Sequence, residues 1–294
     1  MGKMRYIFLF LQVIGSLIYL VIVTIIMPRA SRNDTRRNIF QRNIFPHQPI
    51  VYILGFYFYS TLTLIYIHNL SSSLTIIINL LLLAFGKIIG LKLRLIGMTG
   101  QICGGKTLAS QYLRERYNAS IITSEEINQI LRKKKNIFIE EMRKNMFKEL
   151  IDIDLNNMDQ FQFNQCVINN QKFSNFVEKK IRLDLYWYLL KRIVMDKLYY
   201  KKQFVFLEFD LLLKFNSFSM ICFPIVSIYN TEKEVVINRM RRKYGFGDDK
   251  VYEIYSNQIT LEEFNLKSDK VIYNEGTINT FERKLDKFML NIFV

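Results

Sequence analysis

Eight residues, Gly100 to Thr107, read GQICGGKT and satisfy the pattern G-x-x-x-x-G-K-[ST] in full. That pattern dictates a specific piece of structure. A buried strand delivers the chain, glycines let the backbone amides curl around phosphate oxygens, and a helix begins with its free amides aimed at the same charge. The flanks comply: Arg94 to Met98 is apolar enough for a buried strand, and Lys106 to Arg116 carries Leu108, Tyr112 and Leu113 on one side at helical spacing. Gly100, Cys103, Gly104, Gly105, Lys106 and Thr107 are therefore candidate nucleotide-binding residues. Lys106 is expected to bridge the β and γ phosphates of ATP, and the Thr107 hydroxyl to hold Mg²⁺. Cys103 reads as a small residue at a variable loop position.

Further apolar strands are expected at Ala119 to Ile122, Phe204 to Phe209, Ile225 to Tyr229 and Lys270 to Tyr273, separated by amphipathic helices. Five such strands predict an α/β fold of the P-loop kinase kind: a parallel five-stranded sheet with helices on both faces. Residues 91–294 form this domain, and residues 133–202 form a helical insert containing DLYWYLLKRIV, whose aromatic stripe reads as core. The two histidines, His47 and His68, precede the domain. Histidine triads and zinc chemistry are thereby excluded within it, leaving carboxylates, cations and backbone amides to act. Cys103, Cys166 and Cys222 are odd in number and widely spaced, as suits reduced thiols.

Residues 1–90 read differently. They hold eight of the 41 basic residues and a single acid, Asp34, with uncharged runs at about 6–27 and 49–68 and a third apolar run at about 73–90 that carries only Lys87. Runs near 20 residues are long enough to cross a hydrocarbon core of about 30 Å. The expectation is two or three transmembrane helices, the first of which could instead be a cleaved leader. Five arginines between residues 28 and 49, against none between 68 and 73, would place that loop and the following domain on the cytoplasmic face. The chain would then be an integral membrane protein with the lipid bilayer as a partner. The net charge of +15 also admits nucleic acid in principle, but no DNA- or RNA-binding signature accompanies it, so no nucleic-acid partner is expected.

From Leu93 to about Phe288 the chain resembles the dephospho-CoA kinase family. The resemblance runs through LIGMTGQICGGKTLAS, ASIITSEEINQIL and FLEFDLLLK. It is most specific in NQITLEEFNLKSDKVIYNEG, by way of Gln258, Leu261, Glu263, Asp269, Val271, Ile272, Asn274 and Gly276. What it implies is transfer of the ATP γ-phosphoryl group to the ribose 3′-hydroxyl of dephospho-CoA, with Mg²⁺. The helical insert becomes an acceptor lobe and residues 239–250 a lid. Glu125 would orient or deprotonate the hydroxyl, Glu208 would serve as a metal ligand, Asn274 would border the nucleotide, and Arg239 with Arg242 or Lys243 would reach the phosphates from one helical face.

The departures from the family pattern are Thr123 for an aspartate, Asp210 for a proline, and Ile254 and Phe264 for two basic residues. They keep two alternatives open: a catalytically degenerate nucleotide-binding membrane scaffold, or a kinase of another small hydroxyl compound.

Overall fold

The structure is a computed structural model that describes residues 12–16, 19, 60, 75–82, 93–134, 140 and 160–293. The chain divides into two compact units, Met1–Arg94 and Leu95–Val294. In the first unit the Ser60 hydroxyl donates to Asn79 Oδ1 at 2.6 Å. Thr75 and Asn79 are buried there, while Ile76, Ile77, Leu80 and Leu81 are exposed.

The integral-membrane placement, with the kinase domain facing the cytoplasm, is overturned. Among the described residues no helix is long and apolar enough to cross a membrane. An uncharged run reports neither the length of a helix nor which side chains it turns inward. In the described stretch 75–82 the side chains turned inward include the polar Thr75 and Asn79. The bilayer therefore has no support as a partner. The remainder of the runs at 6–27, 49–68 and 73–90 lies outside the described residues.

The second unit is the α/β domain. Its elements, in chain order, are β1 (Leu95–Gly100), α1 (Lys106–Tyr117), β2 (Ala119–Ile122), α2 (Ser124–Lys133), α3 (Gln160–Asn169) and α4 (Gln171–Val194). There follow a π-helical turn (Met195–Tyr199), β3 (Phe204–Glu208), α5 (Asn216–Ile221), β4 (Cys222–Tyr229), α6 (Lys233–Tyr244), α7 (Asp248–Ser256), α8 (Leu261–Lys267), β5 (Lys270–Tyr273) and α9 (Ile278–Phe293). The five strands lie in the order β2-β3-β1-β4-β5, and every pairing is parallel.

The strands read as continuous apolar runs because successive side chains leave the sheet on opposite faces, and both faces are covered. Leu95, Val205, Leu207 and Ile225 enter one core, with Ile127 of α2 and the α4 series Phe173, Val177, Ile181, Leu185 and Leu189. Ile96, Met98, Phe206, Val226 and Ile228 enter the other, against Ala109 and Leu113 of α1 and Phe281, Leu285 and Met289 of α9. At Gly97 the packing is so close that an added Cβ would stand 2.7 Å from Leu212 and 2.9 Å from Ile225.

Only part of the aromatic stripe on α4 is core. Leu185 and Leu189 are buried, whereas Trp187 is 73% exposed, with Leu183 and Leu190 exposed beside it. Tyr186 is intermediate, and its hydroxyl donates to the Ser217 carbonyl at 3.2 Å. The far end of the helix is pinned by the buried Asp196, which accepts from Ser120 of β2 at 2.6 Å and pairs with Arg192 at 3.3 Å.

Candidate active site

Loops at the carboxyl ends of a parallel sheet, where neighbouring strands run to opposite sides, form a crevice. Here β1 lies between β3 and β4, and a cavity of about 920 Å³ opens over its end. Among its lining residues are Gly100, Cys103, Gly105, Lys106, Thr107, Glu125, Glu208, Arg239, Arg242, Lys243 and Asn274. Nearly every residue singled out from the sequence thus borders one space. Gly104, the remaining one, is buried in the loop just behind it.

The loop from Gly100 to Gly105 is held by backbone and by side chains distant in sequence. Gly100 has φ +145°, and a Cβ there would fall 2.1 Å from the Ile228 carbonyl oxygen of β4. Gln101 N–H donates to that same carbonyl at 3.0 Å, and Gln101 Oε1 accepts from Asn230 N–H at 3.1 Å. Gly104 N–H closes a turn onto the Gln101 carbonyl at 3.0 Å. Gly105, at φ +115°, stands where a Cβ would lie 2.2 Å from Asn274 Nδ2, and that amide donates to the Gly104 carbonyl at 2.8 Å. Gln258 Oε1 accepts from Ile102 N–H at 3.1 Å. Two side chains of the segment that carries the resemblance, Gln258 and Asn274, are therefore parts of the loop's wall.

Cys103 is in the left-handed region at φ 57°, and its carbonyl accepts from Arg239 at 3.3 Å. Burial pushes its thiol above the ordinary value, against the opposing pull of Lys243, Lys106 and Arg239. The thiolate population is thereby reduced and nucleophilic or redox use disfavoured. None of Cys103, Cys166 and Cys222 is in a disulfide.

Lys106 opens α1 and is 9% exposed. Its ammonium donates to the carbonyls of Gly100 at 3.0 Å and Gln101 at 2.8 Å, and it pairs with Asp210 Oδ1 at 3.1 Å. Thr107, one residue further along the helix, is exposed towards the cavity.

Glu208, the last residue of β3, has Oε2 held by the Ser110 hydroxyl at 2.7 Å. Glu125, on α2, pairs with Arg132 at 3.2 Å, and the two side chains are 59% and 57% exposed. In the lid, Lys243 sits 5.2 Å from the Tyr244 ring. Burial, reinforced by Cys103 and Asp210, pushes the Tyr244 hydroxyl up to about 12.

Three of the departures from the family pattern, Thr123, Ile254 and Phe264, have structural employment. Thr123 caps α2: its Oγ1 accepts from Glu126 N–H, and Glu126 reaches back to the Thr123 N–H in a reciprocal capping box. Ile254 belongs to a small core with Val236, Ile237, Met240 and Val251. Phe264 is 1% exposed and packs edge-on against Tyr229 at 6.0 Å. Sequence reasoning named Asp210 only as a departure, without a role, and did not single out Arg132 or Ser110, which hold Glu125 and Glu208 here. The available signal was the acid pair Glu208 and Asp210 at the end of a strand beside the phosphate loop.

Residues 94–280 match the family model for dephospho-CoA kinase. Three bacterial proteins named dephospho-CoA kinase are similar over nearly their whole length. One from Lactobacillus acidophilus is 22% identical over 197 residues, covering 67% of this chain and 96% of that protein. One from Lactobacillus johnsonii is 26% identical over 204 residues, covering 67% and 97%. One from Fusobacterium nucleatum subsp. nucleatum is 24% identical over 203 residues, covering 67% and 98%.

Proposed function

The chain belongs to the dephospho-CoA kinase family, and from that premise we propose how its site carries out ATP-dependent phosphorylation of the ribose 3′-hydroxyl of dephospho-CoA to give coenzyme A. The observation that carries the reading is the convergence of three groups on one cavity. These are the phosphate loop with Lys106, the lid cations Arg239, Arg242 and Lys243, and the carboxylates Glu125 and Glu208. Phosphoryl transfer asks little covalent chemistry of a protein; it requires positioning and cationic stabilisation of the charge spreading over the transferred group.

The loop is shaped for a triphosphate. Side chains at Gly100 and Gly105 would run into the Ile228 backbone and the Asn274 amide against which the loop curls, and α1 begins there with its free N–H groups. Lys106 supplies a charge that is fixed by two carbonyls. Arg239 is tied to the loop through Cys103 and closes the lid side of the same space.

Mg²⁺ fits the donor set. It prefers hard oxygens at one or two protein ligands and takes the rest from phosphates and water. Thr107 and Glu208 offer such oxygens in the cavity. Among the described residues no group of three His, Cys, Asp or Glu side chains could hold a metal by itself. When bound there, the ion supplies neutralisation of phosphate charge. Glu125, braced by Arg132, orients the acceptor hydroxyl.

The test is ADP formation by the purified full-length chain with ATP and Mg²⁺, with and without dephospho-CoA. The product is identified as coenzyme A by its mass. Turnover that requires dephospho-CoA is the expected result. ADP release indifferent to dephospho-CoA, or the absence of turnover despite ATP binding, would overturn the reading.

A further inference from the structure

Two carboxylates stand at the end of β3, and they are held in different ways. Glu208 is fixed to α1 through Ser110. Asp210 is fixed by its backbone, its carbonyl accepting from Thr99 Oγ1 at 3.2 Å. No donor approaches its buried Oδ1 along a hydrogen-bonding direction, yet Lys106 Nζ stands 3.1 Å away and the side chain, one-third exposed, lines the cavity. A second anion next to the ammonium that meets the phosphates opposes nucleotide binding, because like charges in one site raise each other's cost. Packing gives no reason for the carboxylate either: the residues on both sides of it, Phe209 and Leu211, are buried and apolar. A charge kept at such a place is explained by use.

Resting on the kinase reading above, we propose that Asp210 is the catalytic residue that accepts the proton of the attacking hydroxyl. Lys106 marks where the transferred phosphoryl group lies. A carboxylate 3.1 Å from that ammonium borders the space through which the attacking oxygen must approach that group, and a proton acceptor works within about 2.6–3.2 Å of such an oxygen. Glu125 is less suited to the transfer itself, being largely solvated and paired with Arg132, and Thr123 is committed to capping α2.

In the step, the ribose hydroxyl oxygen forms a bond to the γ-phosphorus as its proton passes to the Asp210 carboxylate. The bond between the γ-phosphorus and the β–γ bridging oxygen breaks, its electron pair leaving with ADP, and Asp210 then releases the proton to solvent.

Asp210→Asn keeps the shape and removes the capacity to take a proton. In the full-length protein we expect it to bind ATP, measured by direct titration, at least as tightly as the unmodified chain, since the anion competing for Lys106 is gone. At saturating ATP and dephospho-CoA its kcat should fall by roughly 10²–10⁴-fold, the usual worth of a positioned proton acceptor. Asp210→Glu should recover part of that loss.

A kcat for Asp210→Asn within a few-fold of the unmodified chain would overturn the assignment. So would a raised KM for ATP with kcat preserved, which would mark Asp210 as a support for Lys106. An unmodified chain that leaves dephospho-CoA unphosphorylated would instead overturn the reading on which the proposal rests, and the proposal with it.

Discussion

Asn274 reaches back 170 residues to donate its amide to the Gly104 carbonyl at 2.8 Å, and in doing so occupies the volume that any side chain on Gly105 would need. The loop's shape therefore depends on a residue just beyond the edge strand β5 as much as on its own glycines. Replacing Asn274 with Ala leaves a buried carbonyl without its donor, at a cost of about 1–3 kcal/mol. The expected outcome is ATP affinity weakened about tenfold, since about 1.4 kcal/mol corresponds to one decade. Direct titration checks it, and unchanged affinity would show that the backbone alone holds the loop.

Lys106→Ala is expected to lower kcat by on the order of 10²-fold or more, through loss of charge stabilisation. The structure adds a second effect. Removing the ammonium leaves Asp210 uncompensated, so Tm should fall as well. The double variant Lys106→Ala with Asp210→Asn should regain Tm and remain inactive. Thermal melts beside turnover assays separate the two roles, and equal Tm in both variants would refute the pairing.

The two faces of α4 predict opposite sensitivities. Leu185 is fully buried and Trp187 is 73% exposed. Leu185→Ala should destabilise by about 2–5 kcal/mol, and Trp187→Ala should stay within about 0.5 kcal/mol of the unmodified protein. Denaturant unfolding decides the point, and a large loss from Trp187→Ala would show that this face is covered.

Glu263 makes a prediction about acid. Burial pushes its carboxyl up, but the hydrogen bonds and charges of Lys267, at 2.6 Å, and Lys214, at 2.9 Å, prevail and hold it below the ordinary value of 4.5. A carboxyl depressed in the folded state contributes stability that is present above its unfolded value and lost as pH falls through the folded one. Glu263→Gln should therefore lower Tm at neutral pH, and the gap from the unmodified protein should close as the pH drops below about 4.5. A gap that persists in strong acid would mean that the two lysines are not what Glu263 contributes.

The strands were legible because a parallel sheet covered on both faces leaves unbroken apolar runs. Ala119–Ile122 and Lys270–Tyr273 appear where the runs lie. β1 and β4 differ only at their ends, with β1 extending to Gly100 and β4 starting at Cys222. The phosphate loop was legible because its chemistry needs glycines and a lysine at set intervals. Trp187 was misread because an aromatic-rich stretch does not reveal which helical face meets the core. The i, i+4 series from Phe173 to Leu189 decides that, and it begins well before the stretch. Asp210 was passed over because its meaning arises from meeting Lys106, 104 residues earlier, and no local pattern encodes that meeting. The membrane placement failed because a count of uncharged residues does not report which side chains a helix turns inward, and among the described residues Thr75 and Asn79 are buried while Ile76 and Ile77 are exposed.

The order β2-β3-β1-β4-β5 sets a timetable for synthesis. β1 starts at Leu95 and pairs with β3 and β4; β2 starts at Ala119 and pairs with β3, which starts only at Phe204. At roughly 5–20 residues per second, β1 waits on the order of five to twenty seconds on the ribosome before its first neighbour exists. Throughout that interval two apolar strands expose unpaired edges, the surface on which nascent chains associate wrongly. Chaperone demand in the cell should therefore concentrate before residue 204 emerges, and β3, which joins β1 to β2, is the strand whose arrival ends it.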